Sequence, residues 1–181
     1  IALQMRQAEE RALLQIVPRA RHDNSMLDDT IPVGPQDAGL GLREEKRIYV
    51  ARQSGTVVAV IIPVVAPDGY SGDIDLIVGI NSDGTIAGVR VLGHKETPGL
   101  GDKAELKKSD WVLGFEGRSL ANPTLDGWAV KKDKGVFDQF TGATITPRAV
   151  VAATLRALQF AQANRKTLFG VQDPAPTGGA S

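Results

Sequence analysis

Apolar positions in residues 1–17 recur at helical spacing. Met5, Ala8, Ala12, Leu13 and Ile16 share one face, Arg6, Glu9, Glu10 and Arg11 share the other, and Pro18 ends the run. Residues 19–42 show no such period. They are polar and turn-rich, with Pro32, Gly34 and Pro35, and read as a connection or loose wrap. Four strands are predicted next. Residues 47–53 and 56–66 flank Ser54-Gly55, a two-residue hairpin signal, and residues 72–80 and 85–92 flank Asn81-Ser82-Asp83-Gly84. Sequential hairpins imply an antiparallel sheet. A glycine-rich loop, Glu96 to Gly101, leads to a short helical stretch over 102–115. Turns at Pro123 and Asp126-Gly127 then precede a short strand at Trp128-Ala129-Val130. The last element is a long helix, 148–168, with Val151, Leu155, Leu158 and Ala161 as its buried stripe. Strands first and a packing helix last predict an α+β fold, a mostly antiparallel sheet of hairpins packed by an N-terminal and a long C-terminal helix. The expected organisation is a leading helix over 1–18, one domain over 19–169 and a flexible tail over 170–181.

Composition narrows the chemistry. The 181 residues can bury a real core, and 42% are apolar. Twenty-one basic and 21 acidic residues give zero formal net charge, which removes a broad electrostatic case for binding nucleic acid. No cysteine is present, so disulfides, thiolate nucleophiles and cysteine-ligated iron–sulfur clusters are excluded. With only His22 and His94, a histidine-rich metal site is excluded as well. No Ser–His arrangement suggests nucleophilic catalysis. A redox role would therefore fall to an organic cofactor. No run reaches the ~18–20 apolar residues that cross a bilayer. The longest, residues 56–66, is Val/Ile-rich and contains Pro63, as suits a buried strand.

The stretch with the most chemical content is Thr141-Gly142-Ala143-Thr144, followed by Ile145-Thr146-Pro147. Thr146 reads as an N-cap and Pro147 as the first helical residue, where its missing N–H costs nothing. Thr144 then lies just before a helix N-terminus, where free amides and the dipole favour a negative group such as a phosphate. On physics alone the turn also reads as an ordinary helix entry. The glycine-rich loop Glu96-Thr97-Pro98-Gly99-Leu100-Gly101-Asp102-Lys103 likewise has two readings: a tight turn, or backbone amides brought close to a flat ligand. Lys131 and Lys132 read either as solvated or as phosphate partners. Trp111 and Trp128 read as core or as stacking partners, and His94 as an exposed loop residue or a proton donor.

Asp138-Gln139-Phe140-Thr141-Gly142-Ala143-Thr144 resembles the flavinylation motif D-x-x-[ST]-G-A-T of the FMN-binding subunits of bacterial Rnf and Nqr electron-transport complexes. The 96–103 loop, Ser109-Asp110-Trp111, residues 128–150 and Ala66-Pro67-Asp68-Gly69-Tyr70-Ser71-Gly72 also resemble the G subunit of Rnf complexes, so the likeness spans roughly 45–165. In that family the last threonine of the motif is esterified to the phosphate of FMN by a flavin transferase, which implies Thr144 here. The resemblance further implies Thr141, Gly142, Ala143, Ile145, Glu96, Thr97, Pro98, Gly99, Leu100 and Lys131 against the flavin, with Asp138 recognised by the transferase. It implies a non-catalytic redox carrier working with other Rnf subunits between ferredoxin- and NAD-linked centres, coupled to Na⁺ or H⁺ transport. A single N-terminal anchor in the inner membrane and a periplasmic domain are implied too. A chain starting at Ile1 leaves room for such an anchor ahead of it. The homologous C subunit of Nqr complexes and a noncovalent adaptor are the alternative readings.

Overall fold

A computed structural model describes residues 10–69, 72–93, 104, 109–139 and 144–170. Its frame is a five-stranded antiparallel sheet in simple meander order: β1 Thr30–Val33, β2 Lys46–Gln53, β3 Thr56–Gly69, β4 Gly72–Asn81 and β5 Ile86–Gly93. The four predicted strands and both hairpins are present. Between β2 and β3, Ser54 and Gly55 take φ of 53° and 83°, the left-handed pair that a tight two-residue turn requires. β1 lies inside the 19–42 stretch read as a connection. Only four residues long and containing Pro32, it offers no period to detect, and it gains its place by pairing with β2 from Thr30↔Tyr49 to Val33↔Lys46.

β3 is apolar almost without interruption because both faces of the sheet are covered. Ile48, Val50, Val60, Ile62, Val64, Val78 and Ile80 point to the larger core, shared with α2 (Ile145–Ala163) and α3 (Arg165–Phe169). Ala51, Ala59, Ile61 and Ile77 point the other way, onto Leu13 and Ile16 of the leading helix, Val17 just after it, and Met26. Residues 10–16 are helical and form α1, in agreement with the predicted leading helix over its described part. Pro63 is tolerated at the centre of β3 for a reason of direction. Alternation puts its nitrogen on the side of the Val65 amide, which bonds the Leu40 carbonyl at 2.8 Å, and the β2 ladder on that side ends at Ile61. The 34–42 wrap covers that edge. Arg156 of α2 fastens it, donating to the Gly39 carbonyl and to Val65 O, both at 3.0 Å.

Three further expectations are corrected. The long helix breaks at Asn164 into α2 and α3. It also starts earlier, at Ile145, so the N-cap position belongs to Thr144 and not Thr146, which lies buried in the first turn. Pro147 is third in the helix, not first, still among the amides that have no intrahelical acceptor. The 102–115 helix is seen only as a 3₁₀ turn, Trp111–Phe115, within its described residues. Trp128-Ala129-Val130 is no strand. Val130 makes a single parallel bridge to Phe137, between 3₁₀ turns at Leu125–Gly127 and Lys131–Asp133.

α1 sits where two glycines face each other across β4 and β5, Gly79↔Gly88. A Cβ at Gly79 would run into Ile16 Cγ2, and one at Gly88 would meet Ile16 Cγ1 at 3.4 Å. Buried Arg90 of β5 lies beside this seat and donates from Nε to Gln15 Oε1 at 3.0 Å. Burial pushes its guanidinium below its ordinary value. Gly79→Ala is expected to lower unfolding free energy by about 1–3 kcal/mol, with Gly88→Ala costing less. Combined with Ile16→Ala, the Gly79→Ala loss should be less than additive in urea melts, because both changes act at one contact.

Candidate functional site

The site is assembled where the 109–139 excursion returns to the start of α2. An aromatic wedge organises it. Phe115 stacks on Phe137 at 4.8 Å and takes the edge of Trp111 at 5.3 Å, while Trp128 tilts against Phe137 at 5.0 Å. The indole N–H groups find carbonyls: Trp111 Nε1 donates to Asp138 O at 2.7 Å and Trp128 Nε1 to Ser119 O at 3.0 Å. Trp128 is therefore core, and Trp111 is a partly buried strut on the backbone of the Asp138 segment. Arg118 lies over the outer side of Phe137, 5.4 Å from the ring centre.

Residues 128–139 fold back on themselves around the Lys131–Asp133 turn. Lys131 N bonds Phe137 O at 2.7 Å, Phe137 N bonds Ala129 O at 3.1 Å, and Lys134 closes the turn in the left-handed region at φ 71°. The turn delivers charged side chains to the helix entry. Lys131 Nζ pairs with Asp138 at 2.8 Å, and Lys132 N donates to Gln139 Oε1 at 3.2 Å. Asp133 accepts a bidentate pair from Arg148, Nε at 2.7 Å and Nη2 at 2.8 Å. Those hydrogen bonds, with the neighbouring Lys132 charge, hold the Asp133 carboxyl below its ordinary value, and Arg148 is raised in turn.

Thr144 occupies the N-cap position of α2 and is partly exposed. Its backbone, at φ −97° and ψ −28°, is already helical and not extended as a capping residue usually is. Its hydroxyl consequently makes no capping bond, although its carbonyl accepts the Arg148 amide at 3.2 Å. Beside it, Ile145 is 44% exposed, an apolar side chain left facing solvent at the site. The structure places Thr144 and Ile145 at the start of α2, and joins that first turn to the 131–133 turn through Arg148 and Asp133, while Lys131 pairs with Asp138 within its own segment. Thr141, Gly142, Ala143, Glu96, Thr97, Pro98, Gly99, Leu100 and His94 lie outside the described residues. Arg148 and Asp133 carry no role in the sequence reading. A cation in the first turn of a helix, against the dipole, is the signal that points to them. Among the described residues, no group of three His, Asp or Glu side chains could hold a metal ion.

The pairing of Asp133 with Arg148 has a pH signature. Because the folded-state pKa is depressed, the pair contributes stability above the ordinary carboxylate value and loses it as pH falls through the lower, folded value. NMR titration should place the Asp133 midpoint below that of a free aspartate. Arg148→Gln should move it back upward.

Residues 69–159, about half of the chain, match the family model described as FMN-binding domain. The chain is 52% identical over 175 residues to the G subunit of the ion-translocating oxidoreductase complex of Pseudomonas aeruginosa, covering 97% of this chain and 81% of that protein. The corresponding G subunit of Pseudoalteromonas atlantica is 50% identical, with coverages of 96% and 80%. Among solved structures, the crystal structure of Shewanella oneidensis NqrC superposes with a TM-score of 0.50 at 25% identity, over 78% of this chain and 66% of that one. Fold, matched domain and relatives agree: the chain belongs to the family of G subunits of ion-translocating oxidoreductase complexes and carries its FMN-binding domain.

Proposed function

We propose that this protein is an electron-transfer subunit of a membrane-bound Rnf-type complex and carries FMN on Thr144 through a phosphoester. The observation that carries the reading is the state of Thr144: a hydroxyl at a helix entry that is partly exposed and not spent on capping. The donor set fits the group. A phosphodiester at this position is a single negative charge at the positive end of a 19-residue helix, beside Arg148 and the Lys131–Lys134 turn. The FMN supplies one- and two-electron chemistry when bound, allowing the subunit to stand between centres of either kind.

The chain's own residues do the rest. Thr144 fixes the attachment point, so the cofactor is not lost between turnovers. Ile145 offers apolar surface beside it. The aromatic wedge keeps the Asp138 segment in place, where a flavin transferase would read the motif. Lys131 is held by Asp138, so its charge stays near the helix entry without being committed to the phosphate. Residues 96–100 and 141–143 are proposed to lie against the isoalloxazine and ribityl parts. The partners are the other subunits of the complex and the transferase. The setting is the inner membrane with the domain facing the periplasm, and the coupled ion is Na⁺ or H⁺.

Thr144→Ala, produced as the full chain with the flavin transferase in the same compartment, should lose all in-gel flavin fluorescence after denaturing electrophoresis. Its unfolding free energy should stay within about 0.5 kcal/mol of the parent, because no capping bond is removed. A fluorescent Thr144→Ala band would sink attachment at this residue. Fluorescence absent from the parent as well would leave noncovalent binding as the reading.

A further inference from the structure

Thr144 and Arg148 stand one helical turn apart, joined by the Arg148 amide and the Thr144 carbonyl at 3.2 Å. Side chains at this spacing lie on the same face of a helix. A guanidinium in the first turn is mildly opposed by the helix dipole, and a nearby anion offsets this. Asp133 provides one, gripping the Nε–Nη2 edge at 2.7 and 2.8 Å. That grip leaves the Nη1 edge of the fork without a hydrogen-bond partner among the described residues. The turn that carries Asp133 also carries Lys131, Lys132 and Lys134. With Arg148 these make four cations against Asp133 and Asp138, so the corner retains positive charge after its internal pairs have formed.

We propose that Arg148 is a positioning residue for flavin attachment: held by Asp133, it presents its Nη1 edge to the phosphate that becomes bonded to Thr144. This rests on the reading of Thr144 as the attachment residue. With a flavin dinucleotide as donor, the Thr144 Oγ1–phosphorus bond forms and the pyrophosphate bond breaks. The nucleoside monophosphate leaves, and the hydroxyl proton goes to solvent or to the transferase. No electron changes hands. The phosphate oxygens left on phosphorus carry negative charge throughout, and the planar fork meets them with directed donors. Asp133 fixes the rotamer and is not displaced, because it uses the opposite edge of the guanidinium.

The test is the rate of covalent labelling of the full chain by flavin transferase and flavin dinucleotide, read as in-gel fluorescence, together with the ³¹P resonance of the linked phosphate. Arg148→Gln should label at least about tenfold more slowly, in line with loss of a charge-assisted hydrogen bond. Arg148→Lys, which keeps charge without the fork, should recover part of that rate. Asp133→Asn should label at an intermediate rate. The ³¹P signal should shift in Arg148→Gln and Arg148→Lys. If Arg148→Gln fails to fold, Arg148→Lys and its ³¹P signal decide alone. Wild-type labelling rates with an unmoved ³¹P signal in the Arg148 variants would overturn the inference and leave attachment at Thr144 standing. So would slowing in Arg148→Gln and Asp133→Asn to the same degree, with no recovery in Arg148→Lys and no ³¹P shift, since that pattern marks a clamp of the loop only. A labelled Thr144→Ala control would instead remove the attachment reading itself.

Discussion

The whole architecture depends on covering β3 from both sides. A strand running from Thr56 to Gly69 with eight consecutive buried residues, 59–66, cannot leave either face wet there, since each buried Val or Ile contributes on the order of 1.5–3 kcal/mol by leaving water. One face takes α2 and α3, and the other takes α1 and the Met26 turn. The position of α2 is therefore not free. Its N-terminus is placed by what its body must bury, and Thr144 is placed with it.

The same constraint explains the excursion between β5 and α2. Residues 117–118 lie against the outer edge of β5, where Ile86 N bonds Arg118 O at 2.7 Å and Gly117 N bonds Ile86 O at 2.9 Å. Pairing of this kind protects an edge that would otherwise offer unpaired amides. Phe115, Trp128 and Phe137 then extend the larger core outward, and the charged Lys131–Asp133 turn comes to rest at the helix entry. Local contacts alone would not hold such a short turn. The aromatic wedge beneath it and the Arg148 fork above it do so together.

Much of this is legible in the residues, and the misses have physical causes. β2, β3, β4 and β5 announce themselves by apolar runs and by turn residues at the right spacing. β1 does not, because four residues carry no period and their stability is borrowed from β2. The start of α2 is displaced from its local signal. Thr146-Pro147 is a good helix entry by itself, yet packing begins the helix at Ile145 and buries Thr146. The role proposed for Thr144 rests on the motif. Arg148 and Asp133 are not legible in this way, since fifteen residues separate the two and only the folded turn brings them together.

The glycine pair under Ile16 has a mechanical side. Gly79 and Gly88 let the Ile16 side chain of α1 settle directly on the backbone of β4 and β5, with no strand side chain in the way. α2 grips the opposite face of the same sheet through its own buried stripe. The sheet is thus held between α1 on one face and the helix that starts at Thr144 on the other, each seated through its own buried cluster.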